Sequence, residues 1–325
     1  MYQLNISSET WQLSRPFEIS GHTWHSVDCL VVTLSDGMVS GRAEAQGVYY
    51  LSETIPSMTQ QIEHVRVKIE SGITRLELQS ILPPGGARNA IDCALWDLEC
   101  KRQQKSIWQL TNINSGTVET VFTIGLEDTP EAMATKAKTA PTKILKVKLN
   151  DDRPVARLQA IIHARPDARL VVDANQAWDL HTLKTVVDAF QDTSLEMIEQ
   201  PLPRGQDHVL ADYHSAITLA GDESCLHSAE LAHAKDCYQM VNIKLDKTGG
   251  LTEALQMAEK AKAMNLKLMV GNMCGTSLAM APAFVIAQLC DFVDIDGPLL
   301  NLTDRPNALT YEQGLVSGLK PTLWG

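Results

Sequence analysis

Apolar positions alternate at the start of the chain and predict extended structure: a short strand near Tyr2 to Ile6, a second over Val27 to Leu34, a Ser35-Asp36-Gly37 turn, and a third over Met38 to Glu44. Together they read as an antiparallel meander. The period then lengthens. Ser52 and Glu53 open a helical pattern that runs to about Glu70, and Ala87 to about Gln104 sets Ala90, Ile91, Ala94, Leu95 and Leu98 on one stripe. From about residue 118 the texture changes to short apolar runs, each followed by a segment of helical periodicity. The runs end near Gly125, Lys148, Asp173, Glu199, Asp222, Lys244, Gly271 and Asp294. Successive endings lie 23, 25, 26, 23, 22, 27 and 23 residues apart, the length of one strand–helix unit with its loops. Eight such units predict an α/β fold with a closed parallel barrel over about residues 116–300, preceded by an α+β domain over 1–115. An open doubly wound sheet would carry a glycine-rich phosphate turn after an early strand, and none is present.

Length and composition narrow the function classes. A chain of 325 residues with 44% hydrophobic and 21% charged positions is long enough to bury a large core. No window of about twenty apolar residues appears, and Met1-Tyr2-Gln3-Leu4-Asn5 lacks the basic and apolar regions of a signal peptide, so a cytoplasmic location without membrane partners is expected. The net charge of −11, from 28 basic against 39 acidic residues, opposes binding to a phosphate backbone. Seven scattered cysteines, never spaced C-x-x-C, read as reduced core thiols. The histidines show no ligand spacing, and a homo-oligomer stays open.

In a parallel barrel, reactive groups sit at the C-terminal strand ends. Asp173, Glu199 and Asp222 place one carboxylate at the end of each of three consecutive strands, on one rim. Three uncompensated carboxylates at close range repel, so a divalent cation is the natural resolution, and all-oxygen ligands favour Mg²⁺ or Mn²⁺. In Ile144-Leu145-Lys146-Val147-Lys148, strand alternation sends Lys146 and Lys148 into the barrel. Two ammoniums so close, partly desolvated, predict that one loses its proton near neutral pH and becomes a base. Asn242 and Lys244 face inward from the sixth strand, with Lys247 as a competing candidate just beyond it. Opposed bases on strands two and six, flanking a chelated carboxylate, suit removal and return of a proton at the carbon α to that carboxylate. Schiff-base chemistry at a buried lysine is the rival use, and it leaves the three carboxylates idle.

These residues resemble the enolase superfamily, in its muconate-lactonizing subgroup, and most closely the dipeptide epimerases. The resemblance runs over nearly the whole chain. It is carried by Arg88-Asn89-Ala90-Ile91-Asp92-Cys93-Ala94-Leu95-Trp96-Asp97, Leu145-Lys146-Val147-Lys148-Leu149, Val172-Asp173-Ala174-Asn175, Glu199-Gln200-Pro201-Leu202-Pro203, Asp222-Glu223-Ser224 and Val241-Asn242-Ile243-Lys244-Leu245-Asp246-Lys247-Thr248-Gly249-Gly250. It implies a modified (β/α)7β barrel with an N-terminal cap completed by about residues 300–325. Acid/base lysines are implied at Lys148 and Lys244, with Mg²⁺ held by Asp173, Glu199 and Asp222. Lys146 is implied near substrate, with Asn175 and Asn242 supporting the metal ligands. Asp294-Ile295-Asp296 matches the Asp-x-Asp that in dipeptide epimerases holds the free ammonium of the substrate. Specificity is implied in two capping loops, near residues 18–26 and 46–53. Where relatives acting on Ala-Glu carry an arginine in the first loop, this chain has Trp24, and acidic-dipeptide specificity is not expected.

The same scaffold supports an N-acylamino acid racemase, or a lyase or cycloisomerase of the o-succinylbenzoate synthase or muconate cycloisomerase type. Those substrates lack a free ammonium, and Asp294 and Asp296 argue against them. A non-catalytic metal-binding barrel is a further class, opposed by the intact lysines and carboxylates.

Overall fold

The computed structural model describes residues 1–325. Its first layer is an antiparallel sheet of β1 (Gln3–Ile19), β2 (His22–Ser35) and β3 (Ser40–Ala45), in that order. β1 is far longer than the strand expected near Tyr2 to Ile6. After a register shift between Gln12 and Phe17 it continues as an arm with β2, pairing Phe17 with Trp24 and Ile19 with His22. Most side chains along this arm are exposed or half-buried, so no apolar alternation marks it in the sequence. The first capping segment is thus a closed hairpin, and Leu126 at the barrel rim donates its amide to Glu18 O at 3.0 Å.

Behind the sheet lie α1 (Ile55–Glu70), α2 (Arg75–Ile81), α3 (Gly86–Gln103) and α4 (Ile107–Thr111). α1 starts after the expected Ser52 because Thr54 and Ser57 exchange capping-box hydrogen bonds, while Tyr49–Leu51 forms a separate 3-10 turn. α3 is buried along nearly its full length. It lies so close to β3 that a Cβ on Gly41 would come within 2.7 Å of the Leu98 Cα.

The barrel follows. A short β4 (Val118–Glu119) leads into β5 (Phe122–Ile124), α5 (Pro130–Thr139), β6 (Ile144–Lys148), α6 (Pro154–Ala164), β7 (Arg169–Asp173), α7 (Leu180–Phe190) and β8 (Leu195–Glu199). Then come β9 (Thr218–Gly221), α8 (Leu231–Cys237), β10 (Met240–Ile243), α9 (Leu245–Thr248), α10 (Leu251–Ala263), β11 (Lys267–Val270), α11 (Ser277–Ala287) and β12 (Phe292–Val293). Strands β5 to β12 form one curled, all-parallel sheet in sequence order, and Val121 N donates to Val293 O at 2.9 Å across its closing edge. One unit departs from the expected pattern. Between β8 and β9 there is no α-helix, only a 3-10 turn at Asp207–Leu210, because Pro201, Pro203 and Gly205 interrupt helical hydrogen bonding. No helix is long and apolar enough to cross a membrane.

Strand alternation sorts the barrel into layers. Outward residues such as Leu145, Val147, Leu170, Val172, Ile198 and Leu219 pack with the helices. Inward, Val121, Ile144, Val171, Met197, Ala220, Met240 and Met269 form an apolar floor. Two residues further along β6, β7, β8, β9 and β10 come Lys146, Asp173, Glu199, Asp222 and Asn242, a polar layer stacked on that floor.

Cap and barrel share a core. One cluster of 51 buried residues includes Leu34, Ile62 and Ile91 of the cap together with Val241, Leu268 and Phe284 of the barrel, so apolar packing does not stop between them. The chain then returns to the cap: β13 (Thr310–Glu312) and β14 (Leu315–Ser317) pair beside β4, and Trp324 Nε1 donates to Cys93 O at 2.9 Å. All seven cysteines are unpaired, five of them buried.

The contact at Gly41 is directly testable. Gly41→Ala inserts a methyl against the α3 backbone, which cannot give way as a side-chain tip would, and is expected to lower unfolding free energy by about 1–3 kcal/mol, read as a lower urea midpoint at unchanged slope.

Candidate active site

β6, β7 and β8 pair in register, so that Lys148 lies opposite Asp173 and Asp173 opposite Glu199, while Ala220 of β9 pairs with Glu199 and puts Asp222 two residues beyond. All of these side chains are buried. Lys148 Nζ donates to Asp173 Oδ2 at 2.6 Å, and Lys244 Nζ to Asp222 Oδ2 at 2.8 Å, from the opposite side of the trio. Asn242 Nδ2 donates to Glu199 Oε1 at 2.6 Å. Asn175 binds Asp173 through its backbone amide at 3.0 Å and turns its side chain toward Glu223.

Lys146 does not do what its spacing from Lys148 suggests. Its Nζ lies 3.1 Å from Asp173 Oδ2, 2.6 Å from Glu199 Oε2 and 2.7 Å from Asp294 Oδ2. It donates a hydrogen bond to Asp294 and is ion-paired with Asp173 and Glu199, so its charge is taken up by the barrel's own carboxylates. Burial favours the neutral amine, but Asp294, Glu199 and Asp173 overcome it and raise the Lys146 pKa well above its ordinary value. Lys244 is raised in the same way, burial being outweighed chiefly by Asp222 and Glu199. The expected repulsion between paired lysines is thus replaced by lysine–carboxylate pairing across the barrel.

Lys247 is excluded as a base. Its Nζ donates to the carbonyls of Asp222, Cys225 and Asn242 at 2.7–3.0 Å and lies 2.6 Å from Asp222 Oδ1. The three carbonyls engage its protons, and its charge pairs with the Asp222 carboxylate.

The end of the last strand also differs from a simple alternation. β12 stops at Val293, and Asp296 precedes a 3-10 turn at Gly297–Leu299. Asp294 is held by Lys146 and by Asn272 Nδ2 at 3.1 Å, while Asp296 Oδ2 accepts the Thr123 amide at 2.7 Å. Burial and the neighbouring Asp294 push Asp296 up to about 7.

Several groups had not been singled out in the sequence. Gln200, with φ of 35°, accepts the amides of Asp222 and Ser224 on Oε1 and donates from Nε2 to Leu202 O and Ser224 Oγ, tying the ends of β8 and β9 together. Gly271 makes room for neighbours: a Cβ there would come 2.7 Å from Asn242 Nδ2 and 2.9 Å from Lys244 Cε. A glycine at the end of an inward-facing strand was the available signal. Glu223 is buried beside Asp222, has no donor on Oε2, and is pushed up to about 8 by burial and by the Asp222 and Asp173 charges.

Unpartnered oxygens test whether a divalent cation fits. Glu199 Oε2 and Asp222 Oδ1 are buried and accept no hydrogen bond. They belong to the carboxylate trio, whose donors are all oxygen, the donor set that Mg²⁺ or Mn²⁺ takes. The carboxylates are turned onto lysines, and no three acidic, histidine or cysteine side chains stand at ligating spacing, so cation binding requires Asp173, Glu199 and Asp222 to swing from these partners.

The aromatic groups of the two capping segments meet. Trp24 lies with its ring centroid 4.0 Å from His22, 6.0 Å from Phe17 and 5.2 Å from Tyr49, which in turn packs edge-on against Tyr50. Burial raises the Tyr49 hydroxyl pKa, with further effects from Glu223, Lys244 and Asp173, so Tyr49 stands toward the charged layer. Arg15 is exposed, and its charge falls on Lys136 of α5. Trp96 and Trp178 are packing residues, their indoles bonded to Thr252 and to the Asn150 carbonyl. His163, His181, His208 and His214 are exposed.

Comparison with known proteins agrees with this architecture. Residues 1–111 match the mandelate racemase/muconate lactonizing enzyme N-terminal domain, and residues 130–316 match the enolase C-terminal domain-like family. The chain is 41% identical over 302 residues to an N-acetyl-D-glutamate racemase from Pseudoalteromonas sp, covering 91% of this chain and 95% of that one. It is 40% identical over 318 residues to the L-Ala-D/L-Glu epimerase of Escherichia coli K12, covering 97% and 99%. A solved Agrobacterium tumefaciens enolase family member with homology to dipeptide epimerases, carrying sodium and L-Ala-L-Glu, superposes with a TM-score of 0.96 at 40% identity over the whole of both chains. With both halves matched and the barrel's charged layer in place, the chain belongs to the mandelate racemase/muconate lactonizing enzyme family of the enolase superfamily.

Proposed function

We propose that this chain epimerises a dipeptide at the α-carbon of its C-terminal residue by 1,1-proton transfer. The observation that carries the reading is Lys148 and Lys244 on opposite sides of Asp173, Glu199 and Asp222, with Asp294 and Asp296 at the end of the last strand. Residues 1–115 with the returning 300–325 serve as the cap, and 116–300 as the catalytic barrel. A small dipeptide as partner, without nucleic acid, and a cytoplasmic site of action belong to the same reading.

Asp173, Glu199 and Asp222 would hold Mg²⁺ or Mn²⁺, which would supply positive charge to stabilise the charge that builds on the substrate carboxylate. The protein's residues carry the protons. One lysine, released from the carboxylate that holds its proton and present as the neutral amine, takes the α-proton; the C–H electron pair passes into the carboxylate to give the enediolate. The opposite lysine, as the ammonium, returns a proton to the other face and ends neutral. Lys146 holds Asp173, Glu199 and Asp294 in one arrangement, which makes it a positioning residue. Asn242 and Asn175 fix Glu199 and Asp173 through the bonds described.

Incubating L,L- and L,D-dipeptides in D₂O with Mg²⁺ should place one deuterium at the C-terminal α-carbon. Lys148→Ala and Lys244→Ala should each abolish epimerisation, while exchange without inversion survives for one epimer. Full epimerisation in either variant would falsify the two-base scheme.

Asp294 and Asp296 distinguish dipeptides from N-acylated amino acids, the substrate type of the Pseudoalteromonas relative. An ammonium pairs with Asp296 only when that carboxyl is ionised, and its pKa is raised to about 7. Dipeptide KM should therefore fall as pH rises through about 7, until the substrate amine loses its own proton near about 8. Asp296→Asn should raise dipeptide KM about tenfold or more and remove this limb, leaving N-acetylglutamate unaffected. The same limb with N-acetylglutamate, which has no ammonium, would show that it does not arise from pairing with Asp296.

Side-chain preference rests on Trp24, an apolar face with one N–H donor among His22, Phe17 and Tyr49. A buried glutamate carboxylate needs a paired charge, and residue 24 supplies none. L-Ala-L-Phe and L-Ala-L-Lys are expected to exceed L-Ala-L-Glu in kcat/KM, and Trp24→Arg should reverse the order. An L-Ala-L-Glu preference in the unaltered enzyme, matching the named relatives, would refute the role given to Trp24.

A further inference from the structure

The second capping loop carries Tyr49 and Tyr50 toward the charged layer, yet its first amides find no partner within the cap sheet. The chain leaves β3 at Ala45 and turns at Gly47, whose φ is 79°. Two carboxylates take up the loop amides. Glu53 accepts Val48 N at 2.8 Å and Gly86 N at 3.0 Å, which joins the loop to the start of α3, inside the cap. Asp246 works across the molecule: its Oδ1 accepts Gln46 N at 3.1 Å and Gly47 N at 2.9 Å, although it belongs to the barrel turn α9. Asp246 is buried.

The position of Asp246 gives this bond its meaning. Lys244 immediately precedes α9, Asp246 is its second residue, and Lys247, the next, holds Asp222. One four-residue turn thus touches the capping loop, adjoins the β10 lysine and fixes a carboxylate of the trio. The Tyr50 hydroxyl, buried and without a hydrogen-bond partner, lies where the Asp222 and Glu223 charges reach it.

We propose that Asp246 is a positioning residue for the reaction: it latches the Gln46–Ser52 loop onto the turn that carries Lys244, so that the cover and the β10 base are set in place together. The part concerning Lys244 rests on the proton-transfer reading above; the latch itself does not.

Hydrogen exchange of the full chain without substrate tests the latch. In Asp246→Ala, the Gln46 and Gly47 amides should exchange about tenfold faster or more, with α1 and the barrel strands unchanged. Asp246→Leu keeps the buried volume, removes the acceptor and should behave alike. Unchanged protection of both amides in the variants that fold overturns the proposal. So does a wild-type rate at these amides as fast as at the turn glycine Gly21, a measurement that needs no variant. Kinetics test the coupling: Asp246→Ala should raise KM for both epimers about tenfold and lower turnover equally in the two directions, as a fixed equilibrium constant requires, while initial α-proton exchange into D₂O slows chiefly for the epimer whose proton Lys244 takes. Equal losses of α-proton exchange from both epimers would reduce Asp246 to a structural contact. A chain that labels no dipeptide in D₂O leaves the exchange experiment intact, so the two readings fail separately.

Discussion

Everything in this molecule is arranged around a layer of buried charge resting on an apolar floor. Lys146 is its centre, touching carboxylates from β7, β8 and the end of β12 at once. Removing one partner from such a set leaves uncompensated charge in a low-dielectric interior, at a cost of about 3–5 kcal/mol, whereas the intact set gains little net stability over an apolar core. The site is therefore carried by the scaffold. Methionines and β-branched residues beneath it, the helices outside it and the core shared with the cap hold ten ionisable side chains in a volume that would otherwise expel them.

That constraint explains what the sequence made legible and what it concealed. Strand ends at Lys148, Asp173 and Glu199 could be found because period-two alternation and unit spacing are local properties of the chain. The partner of Lys146 could not. Lys146 and Asp294 are 148 residues apart, and only barrel closure between β5 and β12 brings them to 2.7 Å. Judged by its neighbour Lys148, Lys146 looked like half of a repelling pair; judged across the barrel, it is a cation shared among three anions. The missing helix after β8 was a smaller failure of the same kind, since unit length alone cannot tell a helix from an irregular connection, although Pro201 and Pro203 were visible signs. The β1–β2 arm left no trace in hydrophobicity because it buries little of its own.

A second network binds cap to barrel at the opposite flank of the second loop. Glu44, buried at the end of β3, accepts Arg305 Nη2 at 2.7 Å and is bonded by Thr276 at the start of α11. Arg305 also reaches Glu9 on β1 at 2.7 Å, and its guanidinium lies 5.1 Å from the Trp11 ring. Gln46 bonds Glu44 at 2.8 Å through its side chain while its backbone amide is held by Asp246. A single residue at the root of the loop is thus fixed on one side to α11 and on the other to α9.

The two capping segments are held by different physics, and that difference bears on specificity. The first is a hairpin whose shape is set by its own backbone ladder from Phe17–Trp24 to Ile19–His22, touching the barrel through the Glu18 carbonyl. Its side chains can change without altering the support. The second has no ladder and depends on Glu53 and Asp246 for its backbone, so its path is tied to groups that also serve the barrel. Residue 24 stands on the self-supporting segment, where a tryptophan and an arginine can occupy the same backbone position. A site built this way keeps its proton chemistry in the buried layer and its choice of side chain on the element whose substitution disturbs that layer least.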